Sequence, residues 1–353
     1  MENKKNYILI CLLVIFLVFS IVITISIGSA DISVESVYKI LVDKLFNHGI
    51  GLNSGLYSVS EYHIVWNIRL PRVIMGLIVG SGLAICGAAM QSLLLNPIAD
   101  PYILGVSSGA SAGAAFALLM PISIFVGGAQ VIIFAMLGSI IASALVYSIA
   151  KVGSGNRIQP VTLLLAGTAV NAVMSAITSL LIFLAKSNES IAAVYNWQMG
   201  SIASAQWKTI PICAIFVLAV CLIFVLRYRE FNLIMMGEDE ANALGLSVNR
   251  FRITTAALIS LVVASLVSVT GIIGFVGLIV PHMSRFITRT SDNKVIFVFS
   301  IIIGGIFVIW ADALSRGAFG AAELPIGIIT AFIGGPFFLY LMMKKKYAKG
   351  EIQ

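Results

Sequence analysis

Apolar residues in this chain come in long unbroken runs. Each run holds about 18–25 residues, long enough as a helix to cross a hydrocarbon core about 30 Å thick, and short polar breaks divide one from the next. The runs lie near residues 7–28, 66–95, 102–120, 129–150, 161–185, 208–227, 253–273, 274–290, 296–314 and 324–343. They predict an all-α fold, a polytopic membrane protein of about ten transmembrane helices forming one domain over 1–353. The divisions at Gly271 and within 66–120 have the weakest punctuation, because Gly-rich apolar sequence runs across them.

Lys4 and Lys5 precede the first run, which ends in GSA and so has the outline of a secretory leader. A run of about 20 residues exceeds the 7–15 of a leader's apolar region, so it is expected to remain as a span. With the N-terminus inside and ten spans, fifteen Lys and Arg fall on the inner side and seven on the outer, which fits the positive-inside tendency and puts both termini in the cytoplasm.

Composition sharpens this picture. Hydrophobic residues make up 59% of the chain and charged ones only 10%, against roughly 25% charged in soluble domains. The net charge of +7 is scattered over many loops, which excludes a nucleic-acid-binding face. Cys11, Cys86, Cys213 and Cys221 all lie in apolar runs without CxxC spacing, and His48, His63 and His282 are isolated, so no metal site and no cofactor are implied. There is no GxxxxGK[ST] loop, so any ATP must be handled by another subunit. In GVSSGASAG the residues Gly105, Gly109 and Gly113 recur every four positions, as close helix packing in lipid requires. Ionisable residues inside the spans would mark an ion-coupled carrier. Asp312 is the clear case, and Arg316 four residues on can pair with it across one helical turn.

Three features carry candidate function. Within 161–185, Thr168, Asn171, Ser175 and Thr178 are spaced three, four and three apart and line one helical face. That face either hydrogen-bonds a neighbouring helix or lines a pathway for a polar solute. On the outer side, Arg69 and Arg72 of RLPR, with Arg316, present three guanidinium groups. These serve either headgroup anchoring or a partner's carboxylates, which Arg holds bidentately. On the inner side, MMGEDEANALGLSVNR at 235–250 concentrates acids. Asp239 and Glu240 fall early in a short helix, where the dipole favours them; Ala241, Leu244 and Val248 give an apolar edge, and Gly245 can end the helix in a left-handed turn.

Five blocks in order, RLPRVIMGLIVGSGLAICGAAMQSLLLNPIADPYILGVSSGASAGA, MMGEDEANALGLSVNRFR, GIIGFVGLIVPHMSRFI, WADALSR and ELPIGIITAFIGGPFFLYLM, together resemble the FecCD family of ABC importer permeases. The resemblance, which extends to vitamin B12 permeases, implies a ten-helix permease of the bacterial inner membrane working as a dimer with a second copy or a paralogue. It implies a cytoplasmic ABC ATPase dimer and an extracytoplasmic substrate-binding protein or lipoprotein as partners, besides the membrane lipid. Arg69, Arg72 and Arg316 match the arginines that meet glutamates on the binding protein. Residues 229–250, with Glu238, Asp239, Glu240, Ala241, Leu244 and Gly245, match the segment that couples to the ATPase. The fifth and last spans would line the route. The chain itself would be no enzyme, and its expected cargo is an iron–siderophore complex, with haem or cobalamin as the alternative. An ion-coupled carrier and a flux-free receptor subunit are the readings from other classes.

Overall fold

The structure, a computed structural model, describes residues 2–46, 55–120, 129–155, 159–317 and 323–350; His48 and Arg157 lie outside them. Among the described residues the regular elements are all helical. The helices are α1 (Glu2–Ser26), α2 (Val34–Phe46), α3 (Val59–Tyr62), α4 (Leu70–Leu93), α5 (Val106–Leu119), α6 (Ala129–Gly153), α7 (Pro160–Phe183) and α8 (Asn188–Gln198). They continue with α9 (Ile210–Leu226), α10 (Tyr228–Met236), α11 (Glu238–Ala243), α12 (Val248–Thr270), α13 (Val276–Thr288), α14 (Asn293–Gly317) and α15 (Ile326–Gly350).

Each of the ten predicted spans corresponds to a helix: α1, α4, α5, α6, α7, α9, α12, α13, α14 and α15. Six of these stretches are long and apolar enough to cross a membrane unaided, and α9 with α10 makes a seventh that bends by 59°. Amphipathic α2 and the short α8, α10 and α11 lie in the breaks between apolar runs, where hydropathy carries no signal. The second span starts earlier than predicted: a Ser58–Glu61 capping box opens α3, and a π-helical turn over His63–Arg69 feeds directly into α4. The eighth is shorter than predicted, since α13 has 13 residues and is entered through non-helical chain after Gly271.

The core is built around α4, which packs on α9, α10, α12, α13 and α14. Antiparallel α4 and α14 are tied at both ends. Arg72 bonds Asp312 at one, and the Ser92 hydroxyl donates to Asn293 Oδ1 at 2.9 Å at the other. Small residues permit the close crossings that replace a hydrophobic driving force in lipid. The glycine stripe of α5 serves this purpose: a Cβ on Gly109 would lie 2.3 Å from the Gly138 carbonyl oxygen of α6, and one on Gly113 would lie 2.0 Å from that of Phe134. The outer faces of α1, α7 and α9 remain apolar and exposed through Ile15, Phe19, Leu165, Phe183, Ile215 and Leu218. Cys86, Cys213 and Cys221 are buried packing residues, and no His, Cys, Asp and Glu cluster among the described residues is placed to hold a metal ion.

Candidate functional site

Two irregular backbone segments meet inside the bundle. Residues 94–105 leave the C-terminal end of α4 and fold back, ending in a 3₁₀ turn over Pro101–Leu104 with Asp100 as its cap and Gly105 at φ +78°. Residues 271–275 join α12 to α13, with Gly271 at φ +68° and Phe275 at φ +67°. The Tyr102 hydroxyl donates to the Ile273 carbonyl at 2.9 Å and fastens the two together. A Cβ on Gly277 would lie 3.0 Å from both the Leu83 carbonyl oxygen and Pro101 Cδ, which places this junction beside the interior of α4. At 1.5 Å per residue, Leu83 lies roughly 15 Å in from the end of the helix at Leu93. Non-helical backbone at such depth is tolerated only where protein buries it or where it lines a cavity.

A cavity does lie there. An open cleft of about 440 Å³ is bordered by Tyr102 and Ile272 of the two segments, by Ser107, Ser108 and Ser111 of α5, by Asn171, Ser175, Thr178 and Ser179 of α7, and by Tyr195 and Gln198 of α8. Ten of its twelve lining residues carry a hydroxyl or amide group among apolar carbons, and no Asp, Glu, Lys, Arg or His borders it. The Ser108 hydroxyl donates to Asn171 Oδ1 at 2.6 Å and binds the α5 wall to the α7 wall.

Of the four stripe residues predicted on α7, the structure brings Asn171, Ser175 and Thr178 into this cleft and leaves Thr168 outside it. The exposed Thr168 hydroxyl bonds back to the Leu165 carbonyl of its own helix at 2.8 Å. The α5 serines were missed because GVSSGASAG reads first as a glycine packing motif. Its signal was nevertheless present, since Ser107, Ser108 and Ser111 interleave with the glycines and so face away from α6.

At the end of α4 that bears Arg69, the three predicted arginines are buried, with 4%, 5% and 4% of Arg69, Arg72 and Arg316 exposed. They do not form a free surface. Arg69 caps the end of α1, donating to the carbonyls of Ile25 at 2.9 Å, Ser26 at 2.7 Å and Ala30 at 2.6 Å. Arg316 joins it there, donating to the carbonyls of Thr24 at 2.8 Å and of Ile27. Cations at a helix C-terminus meet both its orphan carbonyls and the negative end of its dipole. Asp312 is the hub: Oδ1 accepts from Arg72 Nε at 2.8 Å and Oδ2 from Arg316 Nε at 3.0 Å. Arg72 Nη1 also reaches Glu323, whose half-exposed carboxylate is the accessible member of the cluster.

At the opposite end, α11 follows Gly237 as a single acidic turn and a half. Its end is a Schellman motif, in which Leu246 N–H bonds the Ala241 carbonyl at 3.0 Å and Gly245 N–H that of Asn242 at 2.9 Å, with Gly245 at φ +88°. Ala241 and Val248 are buried. Leu244 departs from the predicted apolar edge: it stands exposed with Met236 beyond the preceding turn. The acids divide by role. Glu238 accepts from the buried Arg252 at 2.6 Å, while Asp239 and Glu240 face outward.

An all-helical bundle with polar-lined, broken backbone inside it and a capped acidic helix at one end defines a multi-pass membrane transport protein. Residues 14–344 match the model of the FecCD transport family, and the chain belongs to that family, whose members are permeases of ABC transporters. It is 34% identical over 289 residues to the hemin transport system permease protein HmuU of Yersinia pestis, covering 81% of this chain and 85% of that one. It is 41% identical over 283 residues to the cobalamin import system permease protein BtuC of Halobacterium salinarum, covering 80% and 74%. With the Fe(3+)-citrate import system permease protein YfmD of Bacillus subtilis it shares 34% identity over 351 residues, covering 99% and 98%. Among solved structures it superposes on an inward-facing conformation of a metal-chelate type ABC transporter with a TM-score of 0.81, at 27% identity, over 95% of this chain and 99% of that one.

Proposed function

We propose that the chain is the permease of a binding-protein-dependent importer in the bacterial inner membrane, with both termini cytoplasmic, and that it carries an iron–siderophore complex inward. The observation that carries this reading is the α5–α7 cleft, a wall of uncharged hydroxyl and amide groups at a backbone break in an otherwise apolar bundle. Such a surface exchanges hydrogen bonds with a large polar chelate while presenting no charge that would trap it. Separate ATPase subunits supply the energy, in keeping with the missing phosphate loop.

The α11 end is the proposed ATPase contact. Glu238 is spent on holding Arg252, so Asp239, Glu240 and Leu244 make the contact, and the closed cap at Gly245 lets the helix move as a rigid unit. The arginine end is the proposed docking face for the binding protein. Because Arg72 is already paired, a partner's carboxylate reaches it by exchanging with Glu323. Docking, ATP-driven closure of the ATPases and movement of α11 then open the route between two permeases to each side in turn.

Haem or cobalamin is the second reading, favoured by the activities named for the Yersinia and Halobacterium relatives. Transport by the reconstituted importer, tested with a ferric siderophore panel, haem and cobalamin, decides between them. Saturable ATP-dependent uptake of a ferric siderophore is expected; uptake restricted to haem or cobalamin overturns the first reading in favour of the second.

A further inference from the structure

Most buried cations of this protein are matched by acids or carbonyls, as Arg69, Arg72, Arg252 and Arg316 illustrate. One group of half-buried and exposed cations has no acid beside it. Lys5 near the start of α1, Arg285 in the last turn of α13 and Arg289 just beyond it converge on a cavity of about 590 Å³, bordered otherwise by Phe286 and Ile287. No acid borders it, and among the described residues none of the three cations is paired with a carboxylate. The half-buried Arg285 gives one nitrogen to Gln91 Oε1 at 2.6 Å, which fixes its guanidinium at the cavity wall.

Three like charges around one cavity repel unless an anion joins them. The surroundings say which anion. The cavity lies at the end of the bundle, where α13 closes against Gln91 near the last turn of α4. Beside it the exposed apolar stripe of Ile8, Leu12, Ile15 and Phe19 runs up α1, and Phe286, 77% exposed, flanks its other side. In a multi-pass membrane protein those faces meet acyl chains. A molecule with an anionic head and apolar tails therefore matches both the cavity and its flank.

We propose that Lys5, Arg285 and Arg289 form a binding site for the headgroup of an anionic phospholipid, with an acyl chain along the Ile8–Phe19 stripe of α1. The net positive wall selects phosphatidylglycerol or a similar anionic lipid over phosphatidylcholine, whose choline would bring a fourth cation to the same place.

Native mass spectrometry of the purified full-length permease, given phosphatidylglycerol or phosphatidylcholine in detergent, tests this site. The wild type is expected to retain phosphatidylglycerol at least fivefold more than phosphatidylcholine, and added inorganic phosphate is expected not to displace it. The double variant Lys5→Gln, Arg289→Gln alters two exposed side chains, so it is expected to elute as the wild type does while losing that preference. Lys5→Arg is expected to keep it. Equal retention of the two lipids by the wild type, or an undiminished preference in the double variant, overturns the proposal. So does unchanged lipid retention accompanied by lost association with the ATPase subunits, which would assign the cations to a protein contact.

Discussion

Asp312 of α14 and Arg72 of α4 bond at 2.8 Å although 240 positions separate them, and both side chains are buried. The same carboxylate holds Arg316, so a single anion neutralises two guanidinium groups and links α4 and α14 to the end of α1.

Removing that hub leaves two buried cations without their shared anion. Asp312→Ala is expected to cost about 3–5 kcal/mol, the range for breaking a buried ion pair from one side. Thermal unfolding of the purified protein in detergent measures this as a large fall in midpoint. A change within experimental error would show that solvent or lipid headgroups already neutralise the cluster.

Glu323 plays a lesser structural role, because its carboxylate is half-exposed and its pairing is screened. Glu323→Gln is expected to leave stability almost unchanged, since an exposed pair contributes about 0.2–1 kcal/mol. It frees Arg72 Nη1, so the binding protein is expected to dock up to about fivefold more tightly, measured by calorimetry or surface plasmon resonance. Weaker docking would mean that Glu323 is itself part of the contact.

The cap of α11 makes a third prediction. At φ +88° Gly245 occupies a conformation that Pro cannot adopt, and its N–H is needed by Asn242. Gly245→Pro is expected to let ATP hydrolysis continue in the assembled importer while uptake falls at least tenfold. Asp239→Lys with Glu240→Lys is expected to weaken ATPase assembly, whereas Glu238→Gln is expected to act on stability through Arg252. Equal loss of assembly in all three would erase the proposed division of roles.

How far the sequence could be read follows from what each signal encodes. Hydropathy counts apolar length, so it located ten apolar runs that the structure forms as helices, but it is blind to α2, α8, α10 and α11, which are too short or too polar to make a run of membrane length. It could not show that the chain near 271–275 leaves the helix, because Gly-rich apolar residues suit a helix crossing and a backbone break equally well. Helical periodicity found Asn171, Ser175 and Thr178 on one face of α7, yet the opposing serines of α5 depend on which helix packs there. Residue type marked Arg72 and Arg316 as carboxylate binders. Helical spacing paired Asp312 with Arg316; that the same acid also holds Arg72, 240 positions away, is a tertiary fact.

The cleft itself predicts a selective block. Ser111→Leu or Asn171→Leu adds bulk to its wall and removes a hydrogen-bonding group, and is expected to reduce uptake at least tenfold while binding-protein docking stays at wild-type affinity. Thr168→Leu lies outside the cleft and is expected to transport normally. Matching losses at all three positions would point to general misfolding rather than to a block of the cleft.

The most direct measurement is uptake of a radiolabelled ferric siderophore by proteoliposomes holding this permease, with and without its ATPase subunits, in the presence of loaded binding protein. Uptake is expected to require both the ATPase subunits and ATP on their side of the membrane, and to be indifferent to proton and sodium gradients. Uptake by the permease alone, driven by an ion gradient, would contradict the assignment.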